Sequence, residues 1–169
     1  MALGVQSRVH VITEVCTMLD LEAIELIKQL KGRYFRFLDT CDLERFRTVF
    51  TDDAKVHFKS PTYEIEIQGW PKLEEFYRNA FTTTKYGMHH GNHPEIEVSG
   101  DTATGIWYLH DIFINEEEKT VFQGSALYED RYVKQGGKWL IAYSGYERLL
   151  EIISPLPADW KIASKPVQA

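Results

Sequence analysis

From Asp20 onward, Ala23, Ile24, Ile27, Leu30, Tyr34, Phe37 and Leu38 recur at intervals of three and four, which lines apolar side chains along one helical face. With Asp20 as N-cap, the spacing predicts a first helix ending at about Leu38. Asp42 can cap a second, short helix carrying Leu43, Phe46, Val49 and Phe50, so the pair reads as a helical hairpin. The period then falls to two. Ala54, Val56 and Phe58 alternate with polar residues, as do Tyr63, Ile65 and Ile67, and Ser60-Pro61 between them marks a hairpin or a broken edge. Trp70-Pro71 opens a third helix, because proline suits the first helical position, and Leu73, Phe76, Tyr77, Ala80 and Phe81 form its stripe. Four strand-like runs follow, at about 88–98, 103–115, 120–134 and 138–149, with turns at Gly100-Asp101, 115–119 and Gly136-Gly137.

This order predicts an α+β fold: a cone-shaped, curved, mainly antiparallel sheet wrapped around three helices and enclosing a pocket at its open end. Gly105 and Gly124 are the positions expected to bend or bulge the long strands. Residues 1–18 are the least patterned and read as an arm, 19–150 as the domain, and 151–169 as a tail.

Length and charge narrow the function. The 169 residues fit one domain, and with 44% apolar residues a packed core needs no staples. Lys plus Arg is 19 against 25 Asp plus Glu, a formal charge of -6, so no basic face for nucleic acid is expected. No run approaches the ~18 apolar residues that cross a bilayer, and the N-terminal segment, broken by Arg8 and Glu14, lacks the continuous centre of a secretory signal. Cys16 and Cys41 have no metal spacing and make no disulfide framework, so the expected setting is cytoplasmic. Aromatic residues at 13% suffice to line a cavity as well as fill a core, pointing to a small-molecule partner.

Motifs for nucleotide binding, serine hydrolysis, zincin and thioredoxin chemistry are absent, so the candidates are scattered. Tyr34 on the helical stripe should point inward, either as a core tyrosine bonded to a carbonyl or as a cavity hydroxyl. Asp39 follows five positions later, about 140° around an ideal helix, so the two share a face only if the helix ends near Leu38. Because Asp42 can cap the next helix, Asp39 is left without that role. Met88-His89-His90-Gly91-Asn92-His93-Pro94 holds three of the six histidines. His89, His90 and His93 with a carboxylate could bind zinc or iron, but Gly91 and Pro94 exclude a helix, and on a strand His89 and His90 face opposite sides. One inward histidine acting as acid or base is the better reading. Alternation also places Trp107, Leu109, Asp111 and Phe113 on one strand face; if it looks inward, Asp111 is a buried carboxylate in need of a partner, otherwise it makes a rim salt bridge. Tyr128, with Ala126 and Asp130 at period two, is a pocket candidate or an ordinary sheet residue.

Glu22-Ala23-Ile24, the run Lys31-Gly32-Arg33-Tyr34-Phe35-Arg36-Phe37-Leu38-Asp39, the segment His89 to Ile96, Thr102 to Leu109, and Tyr128 to Tyr132 with Gly137-Lys138-Trp139 together resemble the SnoaL-like branch of the nuclear transport factor two-like superfamily, over about residues 20–150. Within it the chain is most similar to the bile acid 7α-dehydratase type, and more distantly to scytalone dehydratase and hexachlorocyclohexane dehydrochlorinase. The resemblance implies an α+β barrel of the cystatin-like type and elimination of water or HCl without metal or organic cofactor, typically by a homotrimer. It places the catalytic tyrosine on Tyr34, the aspartate on Asp39, the histidine on His89 and a terminal-strand arginine on Arg148. Scytalone dehydratase's second pocket histidine and its Ser and Asn pair have no counterpart, since Ala126 and Tyr128 stand on the corresponding strand.

The expectation is therefore a cofactor-independent dehydratase with Tyr34, Asp39 and His89 as catalytic residues and Trp107, Asp111, Tyr128 and Arg148 as substrate-binding ones. The alternatives are an isomerase or cyclase on a steroid-like or polyketide substrate, or a non-catalytic subunit like the small chain of aromatic-ring dioxygenases.

Overall fold

The computed structural model describes residues 18–163; Cys16, most of the expected arm and residues 164–169 lie outside the described residues. Helix α1 spans Leu21–Asp39, and Asp20 caps it by accepting from the Ala23 amide at 3.0 Å. Helix α2 spans only Leu43–Arg47, with Asp42 accepting from the Arg45 amide at 3.0 Å. It stops short of the expected stripe because Phe50 already belongs to a strand, while Val49 fills the junction between them; both side chains are buried. Strand β1 is Phe50–Lys59, β2 Glu64–Gln68, helix α3 Trp70–Ala80, and β3 Lys85–Ser99, β4 Thr102–Asn115, β5 Thr120–Gln135 and β6 Lys138–Pro155 complete the chain. Strand β6 thus runs six residues past its expected end.

The strands form one sheet in the order β2-β1-β6-β5-β4-β3, antiparallel throughout except for a parallel contact of β1 with β6. Its inner face closes on the helices. Ile27 and Leu30 of α1, Phe46 of α2 and Leu73 of α3 are fully buried against Leu109 and Ile141 of the sheet, each contributing on the order of 1.5–3 kcal/mol on burial. Among the described residues no helix is long and apolar enough to cross a membrane.

The source of the bending differs from the sequence expectation. Register shifts occur between Asn92 and Glu95 in β3, where His93 takes a φ of 50°, and at Ser125/Ala126 and Arg131/Tyr132 in the β5–β6 pairing. Gly124 adjoins one of these shifts, whereas Gly105 marks none. A Cβ on Gly105 would lie 3.0 Å from the Tyr132 ring and 3.2 Å from Trp107 Nε1, so it clears space for side chains instead of bending the strand.

Candidate active site

Helices α1 and α3 and the inner sheet face enclose a cavity of about 460 Å³, a volume within the range of small-molecule sites. Its wall is largely aromatic, with Phe58, Phe76, Phe81, Phe113 and Phe122 among the lining rings.

Asp39 and His89 meet at one end. Asp39 is the last residue of α1, and from there its carboxylate turns toward β3. Oδ1 lies 2.5 Å from His89 Nδ1, and Oδ2 accepts the His89 backbone N–H at 3.0 Å. The carboxylate therefore fixes both the ring and the strand that bears it. With Nδ1 occupied, Nε2 is the nitrogen His89 has left for the cavity it lines. The ring stacks on Phe35 at 6.1 Å between centroids and 10° between planes, and leans on Phe81 at 5.9 Å.

Local sequence explains the fit. Inner-face positions around His89 are Gly87 and Gly91. A Cβ on Gly87 would stand 2.8 Å from the imidazole, and one on Gly91 would collide with the Phe35 ring. Two glycines thus seat one histidine and its stacking partner. His90 faces outward beside His110, and His93 is exposed at the register shift, so the three imidazoles do not converge; among the described residues no group of three metal-ligating side chains lies together.

Asp111 is opposite His89 in the β3–β4 register and is buried. It is not a rim carboxylate: Arg148 holds it through Nη1–Oδ1 at 2.5 Å and Nη2–Oδ2 at 2.7 Å. Arg148 sits on β6 and reaches β4 by crossing β5 over Ala126 and Gly124, the partners of Arg148 and Asp111 in their respective registers. A Cβ on Gly124 would come within 3.0 Å of Arg148 Nη1, so only a small residue lets the guanidinium pass. Arg148 Nε donates to the Tyr63 hydroxyl at 3.3 Å, which is 2.6 Å from that of Tyr146. Burial acts to lower the Arg148 pKa, but the Asp111 carboxylate and Tyr146 outweigh it and hold the guanidinium charged more firmly than usual.

Five tyrosines turn toward the cavity: Tyr34, Tyr63, Tyr77, Tyr128 and Tyr146. The Tyr34 and Tyr77 oxygens are 3.4 Å apart. Burial, then the neighbouring Tyr128 phenol, pushes Tyr34 well above the ordinary tyrosine range, and burial does the same to Tyr77 and Tyr128. These groups are neutral at physiological pH, and in the Tyr34–Tyr77 contact either hydroxyl can be the donor.

Six of the seven expected site residues therefore gather at this cavity: Tyr34, His89, Asp111, Tyr128 and Arg148 in its lining and Asp39 behind His89. Trp107 does not. It shares the inner face but is buried away from the lining, its Nε1 donating to the Tyr132 hydroxyl at 2.9 Å. Alternation fixes a face and says nothing of depth along the strand. Tyr63, Tyr77 and Tyr146 escaped sequence reasoning; Tyr77 lay on the recognised α3 stripe, but its ring read as core.

The chain belongs to the SnoaL-like domain family, whose model matches residues 19–144. A Mycobacterium tuberculosis protein of unknown function is 30% identical over 76% of this chain and 72% of its own, with a TM-score of 0.65. A scytalone dehydratase-like protein from Novosphingobium aromaticivorans matches at 19% identity over 85% of this chain and 91% of its own, TM-score 0.69. A hexachlorocyclohexane dehydrochlorinase from Novosphingobium barchaimii matches at 18% over 85% and 97%, TM-score 0.68. At these identities the latter two establish the shared fold.

Proposed function

We propose that this SnoaL-like protein is a cofactor-independent dehydratase, eliminating water from a bulky alicyclic or polycyclic substrate that bears a hydroxyl β to a carbonyl. The observation that carries the reading is the Asp39–His89 pair, which leaves one imidazole nitrogen facing an aromatic cavity. Two of the structural relatives are named for eliminations, a dehydratase and a dehydrochlorinase, and the resemblance to the bile acid 7α-dehydratase type suggests a fused-ring substrate.

His89 Nε2 takes the proton from the carbon between carbonyl and hydroxyl-bearing carbon, while Asp39 stabilises the imidazolium. The electron pair moves onto the carbonyl oxygen, where the Tyr34 hydroxyl donates to the developing enolate. The enolate collapses, the carbon–oxygen bond breaks, and the imidazolium proton leaves with the hydroxyl as water, regenerating neutral His89. General acid–base help of this kind is worth roughly a hundred- to ten-thousand-fold. The aromatic walls, with Tyr128 among them, orient the rings and exclude bulk water, and the clamped Asp111–Arg148 pair shapes the wall beside His89. We place the enzyme in the cytoplasm as a homotrimer without protein or nucleic-acid partners.

The test is turnover of cyclic β-hydroxy ketones, followed by enone absorbance. His89→Ala and Asp39→Asn should each remove turnover with the circular-dichroism spectrum unchanged, and Tyr34→Phe should lose part of it. Full activity in both dyad variants overturns the reading, and a rearranged ketone in place of the enone makes the protein an isomerase.

A further inference from the structure

Close to the aromatic lining lies an ion pair that the proposed elimination leaves idle. Lys31 of α1 and Asp130 of β5 meet at 2.7 Å with neither side chain exposed. Asp130 is well satisfied from the sheet side: the Ser144 hydroxyl donates to Oδ1 at 2.7 Å, and the Tyr132 hydroxyl, itself bonded by Trp107, donates to Oδ2 at 2.7 Å. Lys31 has no such cage. Beyond the Asp130 carboxylate, its ammonium faces aromatic rings. Nζ lies 3.6 Å from the Tyr128 centroid, 4.4 Å from that of Tyr34 and 5.0 Å from that of Phe35.

A buried ion pair is a poor way to stabilise a core, because hydrophobic residues of similar volume usually serve as well or better. What the pair does supply is a positive charge against the π faces of two phenols that line the cavity. A cation there draws charge from the ring and stabilises negative charge gathering near the hydroxyl, and the low dielectric of the interior strengthens the effect. The Asp130 charge acts on Tyr34 in the opposite sense, and the Ser144 and Tyr132 hydroxyls that donate to it offset part of that effect.

We propose that Lys31, anchored by Asp130, is a positioning residue that acts through Tyr34, making its hydroxyl a stronger donor to an anionic oxygen in the cavity. This rests on the assignment of Tyr34 as the hydrogen-bond donor. The probe is 4-nitrophenolate, a flat aromatic oxyanion whose absorbance reports binding. Four proteins are compared: the wild type, Lys31→Met/Asp130→Asn, Tyr34→Phe, and the combination of all three substitutions, each checked by circular dichroism and thermal melting. Lys31→Gln, which retains a donor toward Asp130, replaces the double variant if that does not fold.

The pair variant and Tyr34→Phe should each bind about tenfold more weakly, and the combination no more weakly than Tyr34→Phe alone, because the charge acts through the Tyr34 hydroxyl; passage through Tyr128, whose ring lies nearer to Nζ, would make the losses multiply. Wild-type affinity in the pair variant, losses that multiply in the combination, or binding insensitive to Tyr34→Phe each overturn the proposal. Coupled binding losses in a protein that turns over no β-hydroxy ketone would sink the dehydratase reading and leave this one standing.

Discussion

Arg148 is the residue on which the cavity wall turns. Its guanidinium spans a strand to neutralise Asp111, and both side chains are nearly inaccessible, at 6% and 3%. Arg148→Met leaves an uncompensated carboxylate opposite His89, so stability should fall by about 3–5 kcal/mol. In Asp111→Leu/Arg148→Met the unpaired charge is gone and most of that loss should return. Urea unfolding of the two variants checks this, and an equal loss in both would show that packing, not charge, sets the cost. None of this pairing was legible in the sequence. Alternation marked Asp111 as inward, but its partner depends on strand order and on the small residues Gly124 and Ala126 between them, which no local pattern reveals. Asp39 and His89 were legible because their surroundings resemble a known family; the periodic pattern alone left the pair undecided.

Among the elements, β3 carries the sharpest local requirement. Gly87, His89 and Gly91 occupy successive inner-face positions, and Gly91 yields its side-chain space to Phe35 of α1. Gly91→Ala should therefore push α1 off the strand, costing about 1–3 kcal/mol by overpacking and loosening the contact of Asp39 with His89. A lowered melting temperature together with a lowered turnover is the expected signature; wild-type values in both would mean the helix gives way freely. The N-cap of α1 has a simpler expectation: Asp20→Ala should cost about 1 kcal/mol, read from thermal unfolding. Helices and central strands were legible because their caps and periods agree with their packing. The boundaries that failed have a physical cause. Thr51-Asp52-Asp53 breaks the alternation at the start of β1, where the pairing with β6 shifts register between Phe50 and Lys55. Leu149-Leu150 and Ile152-Ile153 come in doublets, so the end of β6 shows no single buried face.

For the whole molecule, the unusual feature is how many phenols it hides. Tyr34, Tyr77, Tyr128, Tyr132 and Tyr146 all have pKa values pushed well above the ordinary range, in each case chiefly by burial. Each such group ionises more readily in the unfolded chain than in the folded one. Its contribution is intact below the unfolded value of about 10 and is lost as the pH climbs from there toward the folded value. Lys31 works in the opposite sense, since burial lowers its pKa and its unfavourable effect fades as the pH rises toward about 10.4, but it is one group against five. The urea midpoint should accordingly show no phenol-driven decline up to about pH 9.5 and fall steeply between about pH 10 and 11.5. Tyr128→Phe should soften that fall, because a ring without a hydroxyl has nothing to ionise. A midpoint constant to pH 11.5, or a fall unchanged by Tyr128→Phe, would mean that water already reaches these hydroxyls through the cavity.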